Sequence, residues 1–311
     1  MSMKRFPITL TQLTYFSECA RTLNMTEASQ RMLVAQSAVS TAITQLEQAL
    51  GTTLFIRQHS KGLILTPQGH QLVADTQELF TMLSNTIEGL HEGQQAVQGS
   101  ITIACFNTLA PFLVPQLLSR LNSEYPELEV EVLEGNDATI LEALRYGRAE
   151  LGVHYAFAQE EGLLRETIID VAPHVIVDTK HRFAGRGSIA LKDLADDPYI
   201  MLNLPSSSQY FLSVLKESGV EPRIAHRSSS YETVRSMVAL GLGYSILNLR
   251  PNIKRTYTGE KVIPLEIEGT VSSLEIVVST LTKVQRSQRA VAVTEMIRRI
   301  LLEADPRETL H

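Results

Sequence analysis

The sequence predicts an α/β body preceded by a small all-α head, with one long helix between them. Three observations carry this expectation. Helical apolar spacing runs through residues 10–50, a near-heptad apolar seam runs from Pro67 to about His91, and from Ser100 onward strand and helix patterns alternate as βαβαβ.

A chain of 311 residues, 44% of them hydrophobic, is long enough for about two or three domains with cores of their own, which excludes wholesale disorder. Cys19 and Cys105 lie far apart, with no C-x-x-C partner and no nearby histidine cluster. That argues against a disulfide framework and a structural zinc, so no metal or cofactor is expected and the thiols should be reduced. No apolar run resembles a signal peptide or a membrane span, which points to a soluble cytoplasmic protein without a membrane partner. Charge is unevenly divided. Residues 1–66 hold six basic and three acidic side chains, while the remainder holds 22 basic and 31 acidic. A weakly basic head on an acidic body permits nucleic-acid binding by the head, or is merely a solvated face.

In the head, Leu10, Leu13, Phe16 and Ala20 form the apolar stripe of a first helix ending near Leu23-Asn24. Thr26 offers an N-cap hydroxyl to a second short helix, whose buried side is expected at Ala28, Met32 and Leu33. A third helix starts near Gln36, with Val39, Ile43, Leu46 and Leu50 inward and Gly51 placed to end it. Its other face carries Gln36, Ser37, Ser40, Thr41, Thr44 and Gln45, with no acid before Glu47. Short hydroxyl and amide groups without repelling charge suit close approach to phosphates and base edges. Two short helices and a tight turn read as helix-turn-helix, the alternative being a surface helix of a small bundle. Residues 54–57 and 63–66 then form a hairpin around Gly62, a wing that puts Arg57, His59 and Lys61 near flanking phosphates. His59 has no companion that would make it a metal ligand.

Thr26-Glu27-Ala28, Gln36-Ser37-Ala38-Val39-Ser40, Leu46-Glu47, Leu50-Gly51, Leu54-Phe55-x-Arg57 and Leu65-Thr66-Pro67-x-Gly69 together resemble the N-terminal signature of LysR-type transcriptional regulators. The resemblance implies a winged helix-turn-helix that binds double-stranded DNA. Gln36, Ser37, Ser40, Thr41 and Gln45 would face the duplex, and Arg57 and the Thr66 region would approach its backbone. It also implies a small-molecule effector, self-association as a dimer or tetramer, and contact with RNA polymerase. Ala35 departs from the family's usual Ser or Thr cap and Ser37 from its usual Pro, which leaves Ser37 either to cap the helix or to touch DNA.

The long helix has Leu72, Thr76, Leu79, Leu83, Ile87 and Leu90 at coiled-coil-like intervals, with Val73 and Phe80 as a further apolar edge. Dimerisation is the expected use, packing within its own chain the alternative. A polar, glycine-flanked hinge follows. The expected division is 1–66 winged head, 67–91 linker helix, 92–99 hinge and 100–303 effector domain. Within the last, lobe I takes 100–170 and 270–303, and lobe II takes 171–269.

In the body, strands at residues 100–105, 128–133 and 151–154 alternate with helices at 114–121 and from 140, implying a parallel sheet. Strand signals at Ile168-Ile169, His174-Val175-Ile176-Val177 and Tyr199-Ile200-Met201-Leu202 are expected to start a second lobe, with helices at 209–217 and 233–240. A strand at 274–278 and a helix at 287–302 return to the first. The family resemblance continues in Tyr125-Pro126, Glu134-Gly135, Gly147-x-Ala149-Glu150-Leu151 and Val238-Ala239-x-Gly241-x-Gly243-Tyr244. It implies two α/β lobes like those of periplasmic solute-binding proteins, with the effector between them. Glu150 stands where Asp is usual, and Asn248-Leu249-Arg250-Pro251 departs from the commoner pattern and could alter the pocket floor.

Open α/β sheets bind ligands at the carboxyl ends of strands, beside helix N-termini. That rule selects Phe106, Asn107 and Thr108, then Tyr155, then Ser206, Ser207, Ser208 and Tyr210, and finally Tyr231, Glu232 and Thr233. The set suits a small polar molecule, carboxylate-bearing or aromatic, although serines and threonines at these points also serve as plain N-caps. Glu232 could complement a helix dipole or pair with a cationic ligand. Residues 206–208 lack a G-x-S-x-G context and a histidine partner, so an enzyme is not expected. A redox regulator using Cys105 and a solute-binding module without gene regulation are the alternatives to an effector-controlled transcriptional regulator.

Overall fold

The computed structural model describes residues 7–58, 62–90, 97–282, 284 and 286–303. His59, Lys61 and most of the expected hinge therefore lie outside the described residues.

Helix α1 (Leu10–Thr22) opens with a reciprocal cap: Gln12 N donates to Thr9 Oγ1 at 3.2 Å, and Thr9 N donates to Gln12 Oε1 at 2.8 Å. Helix α2 (Met25–Arg31) is capped by Asn24, whose Oδ1 accepts from Thr26 N at 2.9 Å and Glu27 N at 3.2 Å. This corrects the expected Thr26 cap. Asn24 is the last extended residue before the helix and Thr26 already lies inside it, so only Asn24 can reach the unpaired N–H groups. The expected burial of Leu33 is also wrong. The chain enters the left-handed region there (φ 55), and the side chain, 92% exposed, stands in the turn between helices.

Helix α3 (Gln36–Leu50) buries Val39, Ala42, Ile43 and Leu46 against Leu13, Phe16 and Ala28. Leu10 and Leu50, at the outer ends of their helices, are exposed instead of joining the stripes. The antiparallel strands β1 (Phe55–Gln58) and β2 (Gly62–Leu65) form the wing. Leu63 N donates to Leu23 O at 2.8 Å, and a Cβ on Gly62 (φ 84) would stand 2.6 Å from that oxygen, so glycine is what lets the wing dock on the end of α1.

Helix α4 (Pro67–Leu90) starts at Thr66, a buried residue whose hydroxyl accepts from Gly69 N at 3.0 Å and donates to Thr53 O at 2.7 Å. The predicted seam splits: Thr76 is buried, as are Val73 of the further edge and Thr81, while Leu79 and Leu83 are exposed together with Met82. Thr76 therefore faces the chain's own interior, because its side of the helix lies over the head and the first lobe.

The body continues with β3 (Gly99–Phe106), α5 (Ala110–Glu124), β4 (Leu128–Gly135), α6 (Asp137–Arg145), β5 (Leu151–Tyr155) and β6 (Leu163–Val171). Next come β7 (His174–Asp178), β8 (Ser188–Ile189), a 3-10 turn at Leu191–Leu194, β9 (Pro198–Leu202), α7 (Pro205–Glu217), β10 (Arg223–Ser228) and α8 (Tyr231–Ala239). The chain closes with β11 (Ser245–Leu247), β12 (Val262–Ile267), β13 (Leu274–Leu281) and α9 (Gln288–Glu303).

One sheet has the order β4-β3-β5-β13-β6, parallel across its first three strands and antiparallel where β13 returns. Ile168 and Ile169 lie in β6, which pairs with β13 in this sheet through Ile169 and its neighbours, so they close the first lobe rather than open the second. The second lobe holds the sheet β11-β7-β12-β8 and the parallel pair β10-β9, joined by a bridge between Tyr199 and Tyr244. Buried side chains of both lobes form one continuous core. Helix α4 lies on α6, with the rings of His70 and Tyr146 5.0 Å apart.

Candidate nucleic-acid interface and inter-lobe cleft

Gln36, Ser37, Thr41, Thr44 and Gln45 are exposed along one side of α3, and Ser40 is half-buried among them. Ala35 occupies the N-cap position and no side chain caps the helix, so Ser37 does not take over that role. Thr26 is exposed at the start of α2. Arg57 reaches this face from the wing, its Nη2 3.5 Å from Thr44 Oγ1, and Gln12 of α1 donates to Gln45 Oε1 at 3.3 Å. The one acid of the helix turns away: Glu47 Oε1 accepts from Leu54 N at 2.7 Å and Phe55 N at 3.2 Å. The result is an uncharged hydrogen-bonding helix face with a guanidinium beside it and no carboxylate aimed outward, a surface that can sit against a polyanion. The Thr66 hydroxyl is committed to Thr53 and Gly69 inside the head, where it positions α4.

In the body, the carboxyl ends of β3 and β5 meet the starts of α7 and α8. Thr108, Tyr155, Ser207 and Tyr231 line one small cavity there, together with Phe157, Phe211 and Asn248. It encloses only about 10 Å³. Aromatic rings fill the space. Phe106 and Tyr155 stand edge to face at 5.5 Å, and Phe157 lies 5.6 Å from Tyr155 and 6.4 Å from Tyr210. Thr108 and Tyr155 are hydrogen-bonded to each other, and burial pushes the Tyr155 and Tyr231 phenols well above their ordinary range. Tyr231 donates to Leu249 O at 2.6 Å and Tyr210 to Ser272 O at 2.7 Å.

Other selected residues stand apart from this cavity. Asn107 and Thr233 are exposed, and Ser208 donates to Pro205 O at 3.2 Å. Thr233 N donates to Ser230 Oγ at 3.3 Å, the bond of an ordinary helix cap. Glu232 is held internally, by Arg235 Nη1 at 2.5 Å and Tyr257 N at 2.8 Å. Ser206 instead reaches across the lobes to Asp137, the first residue of α6. Burial raises the Asp137 carboxyl above its ordinary value and the Ser206 bond opposes that shift. Sequence reasoning missed Phe157, Phe211 and Asp137. Phe157 lies two residues beyond the end of β5, a signal that could have found it; Phe211 and Asp137 look like an ordinary core residue and an ordinary first-turn acid. Asn248, singled out as a departure, does line the cavity and donates to Val171 O at 3.3 Å.

The thiols are buried and protonated at neutral pH, burial lifting both Cys19 and Cys105 to about 12. No group of three or more potential metal-ligating side chains occurs among the described residues, and no described helix is long and apolar enough to cross a membrane.

Residues 10–70 match the family model described as bacterial regulatory helix-turn-helix protein, lysR family, and residues 94–301 match the LysR substrate binding domain. The structure of HinK, a LysR family transcriptional regulator from Pseudomonas aeruginosa, is 32% identical. It superposes with a TM-score of 0.63 over 94% of this chain and 98% of that one. The transcriptional regulator CysL of Bacillus subtilis is 27% identical over 226 residues, 72% of this chain and 75% of CysL. Full-length CbnR, solved in complex with its target DNA, shares the fold at 21% identity and a TM-score of 0.55, with 94% of this chain and 99% of that one covered.

Proposed function

This chain belongs to the LysR family of transcriptional regulators, and on that premise we propose that it reads operator DNA with the exposed face of α3 and answers to a small molecule held between its lobes. It is a DNA-binding regulator with an effector-binding domain, and not an enzyme. The observation that supports the reading surface best is the charge-free row of Gln36, Ser37, Ser40, Thr41 and Gln45 with Arg57 beside it. In the major groove such a row makes hydrogen bonds to base edges while the wing cation holds the backbone. The working form is an oligomer, at least a dimer, with two heads on two half-sites, and its place is the cytoplasm, with the DNA.

Gel-shift titration separates the two kinds of contact. Gln36→Ala weakens operator binding by about 1–3 kcal/mol and relaxes preference at one base pair, whereas Arg57→Ala weakens all sequences alike and lowers the salt dependence. Unchanged affinity in both folded variants would remove this face from the interface.

The effector reading rests on Thr108, Tyr155, Ser207, Tyr231 and Asn248 around a ring-filled cavity. Stacking faces with a few hydroxyls and one amide fit a small aromatic or largely apolar molecule carrying one or two polar groups. With both thiols buried and protonated, the geometry favours this over thiol oxidation at Cys105, which needs an accessible thiolate.

A further inference from the structure

A second cavity, of about 340 Å³, lies where α1, α4 and the first lobe meet. Its volume is in the range of small-ligand sites. All three parts of the chain supply its wall: Arg21 from the head, Gln77 from the connecting helix, Thr280 and Arg286 from the lobe. Three polar atoms there have no hydrogen-bond partner among the described residues, namely Gln77 Oε1, the Thr280 hydroxyl and Arg286 Nε. Thr280 is only 4% exposed. All three lie just behind the cavity surface; Gln77 Oε1 is itself an acceptor, but the Thr280 hydroxyl and Arg286 Nε–H are donors, and buried donors left unmet mark a place where an accepting group, reached by a small turn of these side chains, completes the bonding.

The charges on the wall favour one kind of occupant. Arg148 and Arg289 join Arg21 and Arg286, against two wall carboxylates, Glu18 and Glu150. Glu18 holds Arg21 at 2.9 Å and Glu150 holds Arg289 at 3.3 Å. The partners of the other two arginines stand outside the wall: Glu142 pairs with Arg148, and Glu166 is shared between Arg286 and Arg298. Four guanidinium groups thus line a wall that holds two carboxylates, an excess of positive charge that suits a carboxylate or a phosphate.

We propose that this cavity is a second ligand site, separate from the inter-lobe cleft, for a small molecule bearing a carboxylate or phosphate group. A ligand there bridges head, connecting helix and lobe, and so favours the arrangement in which the head is docked on the lobe. Its binding and DNA binding are then linked, each changing the affinity for the other by the same factor.

Isothermal titration of the full-length protein with inorganic phosphate and, separately, citrate tests the site. Saturable binding of one equivalent per chain is expected with at least one probe; citrate alone points to carboxylate ligands, phosphate alone to phosphorylated ones. Thr280→Val and Arg286→Gln each weaken that binding about tenfold, or about 1.4 kcal/mol. Both variants are built to fold, since Val keeps the shape of Thr and Glu166 keeps Arg298, and a melting curve checks this. Arg57→Ala, which removes the cation of the DNA-facing surface, leaves the titration unchanged. Absence of saturable binding with both probes overturns the proposal. So does unaltered affinity in both cavity variants, or loss of binding in Arg57→Ala.

Discussion

Two histidines show how single buried residues set the acid limit of the fold. His154 is held by Tyr155 O at 2.9 Å and Ser279 Oγ at 2.8 Å, and His174 is buried in the second lobe. Burial, more than nearby arginines, pulls their pKa values down, to about 4 for His154 and about 3 for His174. Above pH of about 7.5 both rings are mostly neutral in folded and unfolded chains alike. Between there and about 4 the unfolded chain takes up protons that the folded one refuses, so stability falls as pH drops, by roughly 3 kcal/mol from His154 alone at the lower end. The melting temperature should therefore fall clearly from pH 7.5 to pH of about 5, and the double variant His154→Gln, His174→Gln should flatten that fall. Neither role was legible in the sequence, where each histidine sits in an apolar strand pattern; burial is a property of the packed sheets. Gln36, Ser37, Thr41 and Thr44 were legible, because helical spacing fixes which side chains share a face. Leu33 misled for the complementary reason: helical spacing was extended to the residue at which the backbone turns left-handed.

The linker helix is the element whose sequence pattern carried two meanings at once. Thr76 was read in one seam with Leu79 and Leu83, yet it packs inward with Val73 of the further edge, while Leu79 and Leu83 remain uncovered beside Met82. An apolar row left open on a helix that joins two folded units is suited to a second copy of itself. Replacing Leu79 and Leu83 by Glu should convert the oligomer to monomers in analytical ultracentrifugation, and operator affinity should drop with it, while the melting of the head is unaffected. If the sedimentation coefficient is unchanged, the copies meet elsewhere. Strands β3, β4 and β5 and their helices were readable from the succession of strand and helix patterns, β5 as a fully buried strand and the edge strand β4 as an alternation of apolar residues with glutamates. Strand β10, with the polar run Arg223–Ser228, and the three-residue β11 gave no such signal, since each is held by pairing with a neighbour distant in sequence.

At the level of the molecule, the lobes are closed on each other. A space of about 10 Å³ holds about one water, so a larger effector must part the lobes or swing the rings of Tyr155 and Phe157. Ser206 of the second lobe opposes the burial-driven rise of the Asp137 carboxyl of the first, and parting the lobes removes that influence. Once a ligand is found by thermal-shift screening of small aromatic metabolites, Thr108→Ala should weaken its binding about tenfold and Asn107→Ala should leave it unchanged, with DNA affinity intact in both. Equal loss in the two variants would move the effector out of this cavity. The rule of strand ends led from the sequence to the edge of the sheet where Thr108, Tyr155, Ser207 and Tyr231 line the small cavity, because it depends only on topology. It could not separate Thr108 from Asn107, since that depends on how far the second lobe swings over the first.

Glu47 has a consequence that reaches beyond the head. By accepting from Leu54 and Phe55 it welds the recognition helix to the wing, so the two move as one rigid reader. Under the proposed function, a signal from the lobes should then leave the motif decoded at each contact unchanged and alter the gap between neighbouring contacts. Chromatin maps collected under different nutrient regimes should accordingly share one consensus word and differ in its phasing along the helical turn.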